Sequence, residues 1–341
     1  MTLEIEEPIY NNRDNFFQFG HTAWDRHEQL QTTAPEWPTT LKEMSAKAKA
    51  ALKQQRIEWL QELHPIWTPE MEAAHEQIED SLMLRGHGSP ECFGLRGEPY
   101  VGKTQIIQRF VDTFHCENTE SRPFEGETRT GDDMPNVPVV WLPTEGTVKQ
   151  LLESFLAFYG IEVKRSTNTG TLTREVMKQV RQHQTQIVVL DDVHNLGRSR
   201  SATAAMDLKV MYEKLGSVMF LFTRTNDKCP AFDKDTGGNQ TLDRTVWHTI
   251  EAPTVTSDEW LGMLGAFEGA MPWVHSNDEP LLLDHVELMH ERTEGKTGKL
   301  AFLLRHMTLK MIRQNTSGED KVTADLINSV KMTNYEDALA A

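Results

Sequence analysis

Gly97-Glu98-Pro99-Tyr100-Val101-Gly102-Lys103-Thr104 sets two glycines, a lysine and a threonine at the spacing G-x-x-x-x-G-K-[ST]. A loop that holds phosphate must turn several backbone N–H groups toward one set of oxygens. Glycines permit the unusual φ/ψ this needs and keep side chains out of the way. The helix expected to open near Lys103 aims its positive end at the anion. Lys103 is long enough to reach β/γ-phosphates, and the Thr104 hydroxyl suits Mg²⁺. Gly97, Glu98, Pro99, Tyr100, Val101, Gly102, Lys103, Thr104 and Gln105 are therefore the expected nucleotide-binding residues. The competing account is a chance Gly/Lys/Thr loop. A strand before the loop and a helix after it would decide against chance, but Gly94 and Arg96 interrupt the expected strand. The motif does not separate ATP from GTP.

Four further places carry residues that serve such a loop. Ile187-Val188-Val189-Leu190 runs straight into Asp191-Asp192, as when a central strand delivers acids to the carboxyl edge of a sheet. Asp191 would hold Mg²⁺, and Asp192 stands where a general base polarises the attacking water. A strand-end turn capped by aspartates is the plainer alternative. Thr223 closes "VMFLFT" and would sit between the acids and the γ-phosphate, or serve only β-propensity. Arg244, just before "TVWHTI", has the position of an arginine finger directed at a neighbouring subunit. Its alternative is a surface arginine. Lys299 opens an expected helix in "EGKTGKLAFLL", where a cation reaches phosphate from above or is simply solvated.

These positions need elements to hold them. Short β-type runs ("ECFGL", "VPVVWLP", "TQIVVL", "SVMFLFTRT", "TVWHTIEAP") alternate with helical stretches near 104–115, 147–159, 172–183 and 203–215. That alternation predicts an α/β domain with a mainly parallel sheet. From about residue 257 the chain reads helical throughout, as a small α-helical lid. Upstream, residues 39–63 are rich in strong helix formers. "TPEMEAAHEQIEDSLM" reads as a further helix, with Thr68 as N-cap and Pro69 at its first position. The first 40 residues are mixed and aromatic-rich. Phe16, Phe17, Phe19 and Trp24 suit either a partner surface or an extension of the core. Residues 117–136 and 227–240 read as long polar loops.

Composition sets limits on these readings. In 341 residues, 38% hydrophobic and 25% charged, there is material for two or three domains. The first residues lack a basic and apolar leader, and no run approaches the roughly 18 apolar residues of a membrane span. The expectation is a cytoplasmic chain without a membrane partner. Three scattered cysteines form no CxxC pair, which fits a reducing compartment. The histidines show no zinc spacing. A net charge of -16 and a pI near 5.3 argue against a basic nucleic-acid footprint.

Taken in order, the five elements resemble an AAA+ ATPase: Walker A, Walker B, sensor 1, arginine finger, and a helical lid with sensor 2. "EMEAAHEQIEDSL", "VPVVWLP" followed by "TEGTVKQLLESFLAFYGI", and "TEGKTGKLAFLLRHM" are similar to the TniB/TnsC family of AAA+ regulators of DNA transposition, over roughly residues 64–330. Asp192 stands where Glu is usual in the pattern, and Lys299 where Arg is usual. The shorter acid leads us to expect slow hydrolysis. The resemblance implies a P-loop AAA+ core at 64–250 with a parallel sheet, a helical lid at 251–335, an N-terminal helical extension at 1–63 and a tail at 336–341. It also implies ATP and Mg²⁺ as cofactors, and a homo-oligomeric ring or helical filament on double-stranded DNA. Transposase and target-selection proteins are the implied partners, with hydrolysis driving disassembly. A filament needs only one or two cations per subunit on its DNA-facing side, so the rest of the surface can stay acidic. Thr147 and Lys149 after "WLPTEG", and Lys164 and Arg165 in "EVKRSTNTG", are the expected DNA contacts, each with ordinary solvation as its alternative. The rival function is a signalling or defence NTPase that acts as a nucleotide-gated protein switch without DNA, which explains the acidic charge more directly.

Overall fold

The computed structural model describes residues 15–30, 32–61, 66–84, 92–119, 136–142, 144, 147–164, 166–195, 213–215, 218–225, 245–275, 280–315 and 318–332, without the side chains of 15–17 and 21. The chain divides into two compact units. One comprises Met1–Glu28, Ala73–Glu98 and Lys103–Ile250; the other comprises Gln29–Glu72, Pro99–Gly102 and Glu251–Ala341.

The first unit is built on five parallel strands: β1 Cys92–Gly97, β2 Val139–Leu142, β3 Ile187–Leu190, β4 Met219–Arg224 and β5 Thr245–Ile250. Their order is β2-β3-β4-β1-β5. All four residues of β3 are buried, as a parallel strand covered on both faces requires. Helices α4 Lys103–Glu117, α5 Val148–Phe158 and α6 Thr169–Gln182 belong to this unit. The apolar faces of α5 and α6 share one core cluster with residues of β2, β3 and β4, including Phe155, Tyr159, Val176, Val188 and Phe220. Thr147 caps α5 in a full capping box: its side chain accepts from Gln150 N, and the Gln150 side chain accepts from Thr147 N. Asn168 caps α6.

One sequence expectation changes here. Gly94 and Arg96 do not interrupt β1. Gly94 lies opposite Trp247 of β5, and a Cβ at Gly94 would stand 2.4 Å from that indole, so only glycine lets the ring pack there. Arg96 lies opposite Thr249 and donates from Nε to its Oγ1 at 2.6 Å. Helix α1, Asn15–Leu30, lies in the mixed, aromatic-rich stretch, within the expected N-terminal helical extension. Arg26 holds it to α4 by donating from Nε and Nη2 to the two Asp112 carboxylate oxygens at 2.6 and 2.7 Å. Phe19 packs against the core cluster, with its ring edge-on to His115. The expected helix at 203–215 and the loop at 227–240 fall outside the described residues, apart from 213–215.

The second unit is helical: α2 Ala46–Gln61, α7 Asp258–Ala270, α8 Val286–Thr293, α9 Thr297–Gln314 and α10 Ala324–Ser329. Helix α3, Pro69–Met83, begins in this unit, and Thr68 Oγ1 accepts from Met71 N at its start as expected. Helix α2 begins seven residues later than position 39, at Ala46, where Ser45 Oγ accepts from Ala48 N and caps it. The unit's core gathers Trp260, Phe267, Trp273, Leu300, Leu304 and Met307 with Trp59 of α2. Arg56 and Asp320 form an ion pair inside it, with side chains 3% and 0% exposed. Arg56 Nε also donates to Pro272 O at 2.5 Å, and Asp320 accepts from Val274 N at 2.8 Å and Asn315 Nδ2 at 2.9 Å. Among the described residues, no helix is long and apolar enough to cross a membrane.

Candidate nucleotide site

Register places the site. Leu190 lies opposite Phe222, and Phe222 opposite Gly94, so the next residue along each strand forms a second row: Asp191, Thr223 and Leu95. Because β4 lies between β3 and β1, Thr223 stands between the acids and the strand that feeds the glycine loop. Thr223 is fully buried. Its hydroxyl donates to Asp191 Oδ1 and accepts from Asp192 N at 2.7 Å. Thr104, in the first turn of α4, donates to the same carboxylate at 3.3 Å to Oδ2 and 3.4 Å to Oδ1.

Lys103 is 7% exposed, and its Nζ donates to Gly97 O at 3.0 Å and Glu98 O at 2.7 Å. Burial lowers its pKa, while the charges of Asp192, Asp191 and Glu98 draw it back up. Burial raises the Asp191 carboxyl above the ordinary range. The Thr223 hydroxyl opposes that shift, and the Asp192 charge adds to it. Asp192 adopts the left-handed region at φ 55, which turns its side chain, 53% exposed, out of the strand line. His194 Nδ1 lies 3.8 Å from Asp192 Oδ1.

Within the loop, Tyr100 has φ 70 and Gly102 has φ 102. At φ 102 any side chain at Gly102 would be strained, which favours glycine there. The donor set suits a magnesium–phosphate group: a hydroxyl and a carboxylate converge as hard oxygen ligands, beside a buried ammonium at a helix N-terminus.

Sequence reasoning missed Thr144. It is 3% exposed, and its hydroxyl lies against the backbone carbonyls of Asp191 and Asp192, the latter at 2.9 Å. It thereby pins the turn that carries both acids. The available signal was a lone hydroxyl residue just past an apolar strand, in "VVWLPT".

Lys299 lies in the first turn of α9 in the helical unit and pairs with Glu294. Hydrogen bonds from Lys296 and Lys299 bring the Glu294 carboxyl down to about 2. Gln105 is exposed. Thr147 is committed to its capping box, and Lys149 Nζ lies 3.6 Å from Glu153 on the same helix. Lys164 is exposed between α5 and α6. Arg244 and Arg165 lie outside the described residues.

A parallel sheet in which β4 separates the glycine-loop strand from the acidic strand, with a helical unit that takes in the chain after β5, defines an AAA+ P-loop core. Solved structures share this fold. Aeropyrum pernix ORC1 in complex with DNA matches at TM-score 0.54 and 14% identity, over 86% of this chain and 70% of that one. Cdc6p from Pyrobaculum aerophilum matches at 0.53 and 14%, over 73% and 64%. The Aeropyrum pernix ORC2 protein in ADPNP–ADP complexes matches at 0.50 and 13%, over 76% and 65%. The chain thus spans just under two thirds of the last two, and identities this low establish fold alone. Residues 56–236 match the family described as bacterial TniB protein, and the chain belongs to that family. No curated protein sequence matches it.

Proposed function

We propose that this chain is an ATP-dependent DNA-binding regulator of transposition, which oligomerises on double-stranded DNA with ATP and disassembles through slow hydrolysis. The observation that carries the reading is the convergence of Thr104 and Thr223 hydroxyls on Asp191, in the same unit as the buried Lys103. Membership of the TniB family supports the biological setting. The solved relatives with DNA and with ADPNP and ADP support the ligands.

In this reading Gly97 to Gln105 bind the nucleotide, with Lys103 on its terminal phosphates. Thr104 and Asp191 hold Mg²⁺, which supplies charge neutralisation for the phosphates. Thr223 orients the Asp191 carboxylate and fixes the Asp192 amide. Asp192 accepts the proton of the attacking water. It is one methylene shorter than glutamate, which makes hydrolysis slow. Thr144 is a positioning residue for both acids. Arg244 acts as a finger in a neighbouring subunit, and Lys299 as the lid cation. Thr147, Lys149, Lys164 and Arg165 face DNA. The core spans 64–250 and the lid 251–335, with 1–63 as an extension and 336–341 as a tail. Transposase and target-selection proteins are its partners in the cytoplasm.

The test is sedimentation of the protein with duplex DNA under no nucleotide, ADP, ATP or a non-hydrolysable analogue, at two salt concentrations. DNA-bound assemblies that need ATP or the analogue, and weaken with salt, are the expected result. Nucleotide binding without DNA association in any state would favour the second reading, a nucleotide-gated protein switch, which the net charge of -16 motivates.

A further inference from the structure

The tip of the glycine loop, Pro99–Gly102, groups with the helical unit. There the backbone N–H of Gly298, the second residue of α9, donates to the carbonyl oxygen of Tyr100 at 2.8 Å. This is one of the N–H groups that a helix N-terminus leaves without an intrahelical partner, so the contact costs α9 nothing. A Cβ at Gly298 would stand 3.1 Å from that oxygen, 3.3 Å from Tyr100 Cβ and 3.4 Å from its Cα. The approach is closer than a side chain comfortably allows.

The contact has a consequence one bond further on. In a trans peptide the C=O and the following N–H point in opposite directions, and the chain contains no cis peptide among its described residues. Holding the Tyr100 carbonyl on α9 therefore turns the Val101 N–H the other way. Tyr100 also carries φ 70, a region that costs a non-glycine residue free energy and persists only where the surroundings enforce it.

We infer that Gly298 is a positioning residue for the phosphate loop: its amide anchors the Tyr100 carbonyl and so preorganises the Val101 N–H as a donor to a nucleotide polyphosphate. The inference rests on the reading that this loop binds nucleotide. It assigns Gly298 a backbone role distinct from that of the neighbouring Lys299 side chain.

Two variants of the full chain separate the possibilities. Gly298→Ala crowds the contact. Gly298→Pro removes the donor at a first-turn position where the helix itself loses no hydrogen bond. Equilibrium binding of fluorescent ATP and ADP analogues with Mg²⁺ is the main readout. Thermal unfolding without nucleotide and amide exchange at Gly298 are the companions. Expected is a roughly tenfold weaker Kd for ATP and ADP in Gly298→Pro, the scale of one lost hydrogen bond in a preorganised site, with a smaller loss in Gly298→Ala. The unliganded melting temperature should hold in both. In the wild type, nucleotide should slow exchange of the Gly298 amide, by reciprocity of linkage. Unchanged affinity in Gly298→Pro overturns the inference while leaving the site reading intact. So does an affinity loss that only tracks a lowered melting temperature. Absence of nucleotide binding by the wild type overturns both.

Discussion

Asp191 and Asp192 are adjacent in the chain and are treated differently by their surroundings. Asp191 is gripped by two hydroxyls, whereas the Asp192 side chain stands largely in solvent with its backbone fixed by Thr223 and Thr144. That division predicts a separable phenotype. Asp192→Asn should keep nucleotide-dependent assembly and lose turnover, checked by phosphate release alongside sedimentation. Loss of assembly with turnover retained would contradict the base role. A second residue-scale prediction concerns His115. It is 4% exposed, neither ring nitrogen has a hydrogen-bond partner among the described residues, and burial brings its pKa from 6.5 to about 4. Between those values the unfolded chain binds the proton and the folded chain does not. The stability this histidine contributes is therefore complete above pH 6.5 and falls as pH drops toward about 4. The loss over that window is on the order of 3 kcal/mol. His115→Leu should flatten that part of the profile in urea unfolding.

At the scale of elements, mutation can separate the capping of α5 from its proposed DNA contact. Thr147 is its N-cap, so Thr147→Ala should cost about 1 kcal/mol of stability. Lys149 makes an exposed pair with Glu153, so Lys149→Ala should change stability by about 0.5 kcal/mol. If Lys149 touches DNA phosphate, the same change should lower the slope of log affinity against log salt by about 1. Urea melts and a salt titration of DNA binding measure the two effects. A Thr147→Ala effect on DNA that scales with lost stability would assign that residue to capping alone.

For the molecule as a whole, charge and buried charge pull in opposite directions. A net charge of -16 means that any DNA affinity comes from a few local cations, and the binding must weaken steeply with salt. Inside the helical unit, by contrast, Arg56 and Asp320 are sealed from solvent together. Burial lowers the Arg56 pKa, and Asp320 counters it. Removing one partner strands the other charge, so Asp320→Ala should destabilise by about 3–5 kcal/mol. Replacing both residues with apolar side chains of similar volume should cost far less. Denaturant unfolding of the single and double variants tests this, and similar losses in both would refute the pairing argument. The pair ties α2, from the N-terminal stretch, to residues far along the chain, so this helix is part of the unit's core.

Much of the candidate site was legible in residue order because local chemistry writes it there. A phosphate loop needs glycines, a lysine and a hydroxyl at fixed spacing, and a buried parallel strand reads as an apolar run ending in its acids. Those constraints alone set the glycine loop, Asp191-Asp192, the strand–helix alternation and the Thr68 cap. Contacts between distant segments decided the rest. Gly94 reads as a strand breaker until Trp247 is seen lying over it. Arg26 of the helix at residues 15–30 meets Asp112 of α4, 86 positions away, a pairing that residue order does not show. Thr144 becomes a support for the acids only when β2 is laid beside β3. The Tyr100 carbonyl meets Gly298 only when the helical unit folds. Spacing along the chain encodes what one turn or one strand can do. Register, close approach and buried pairing join residues that no local pattern connects, and only the tertiary structure determines them.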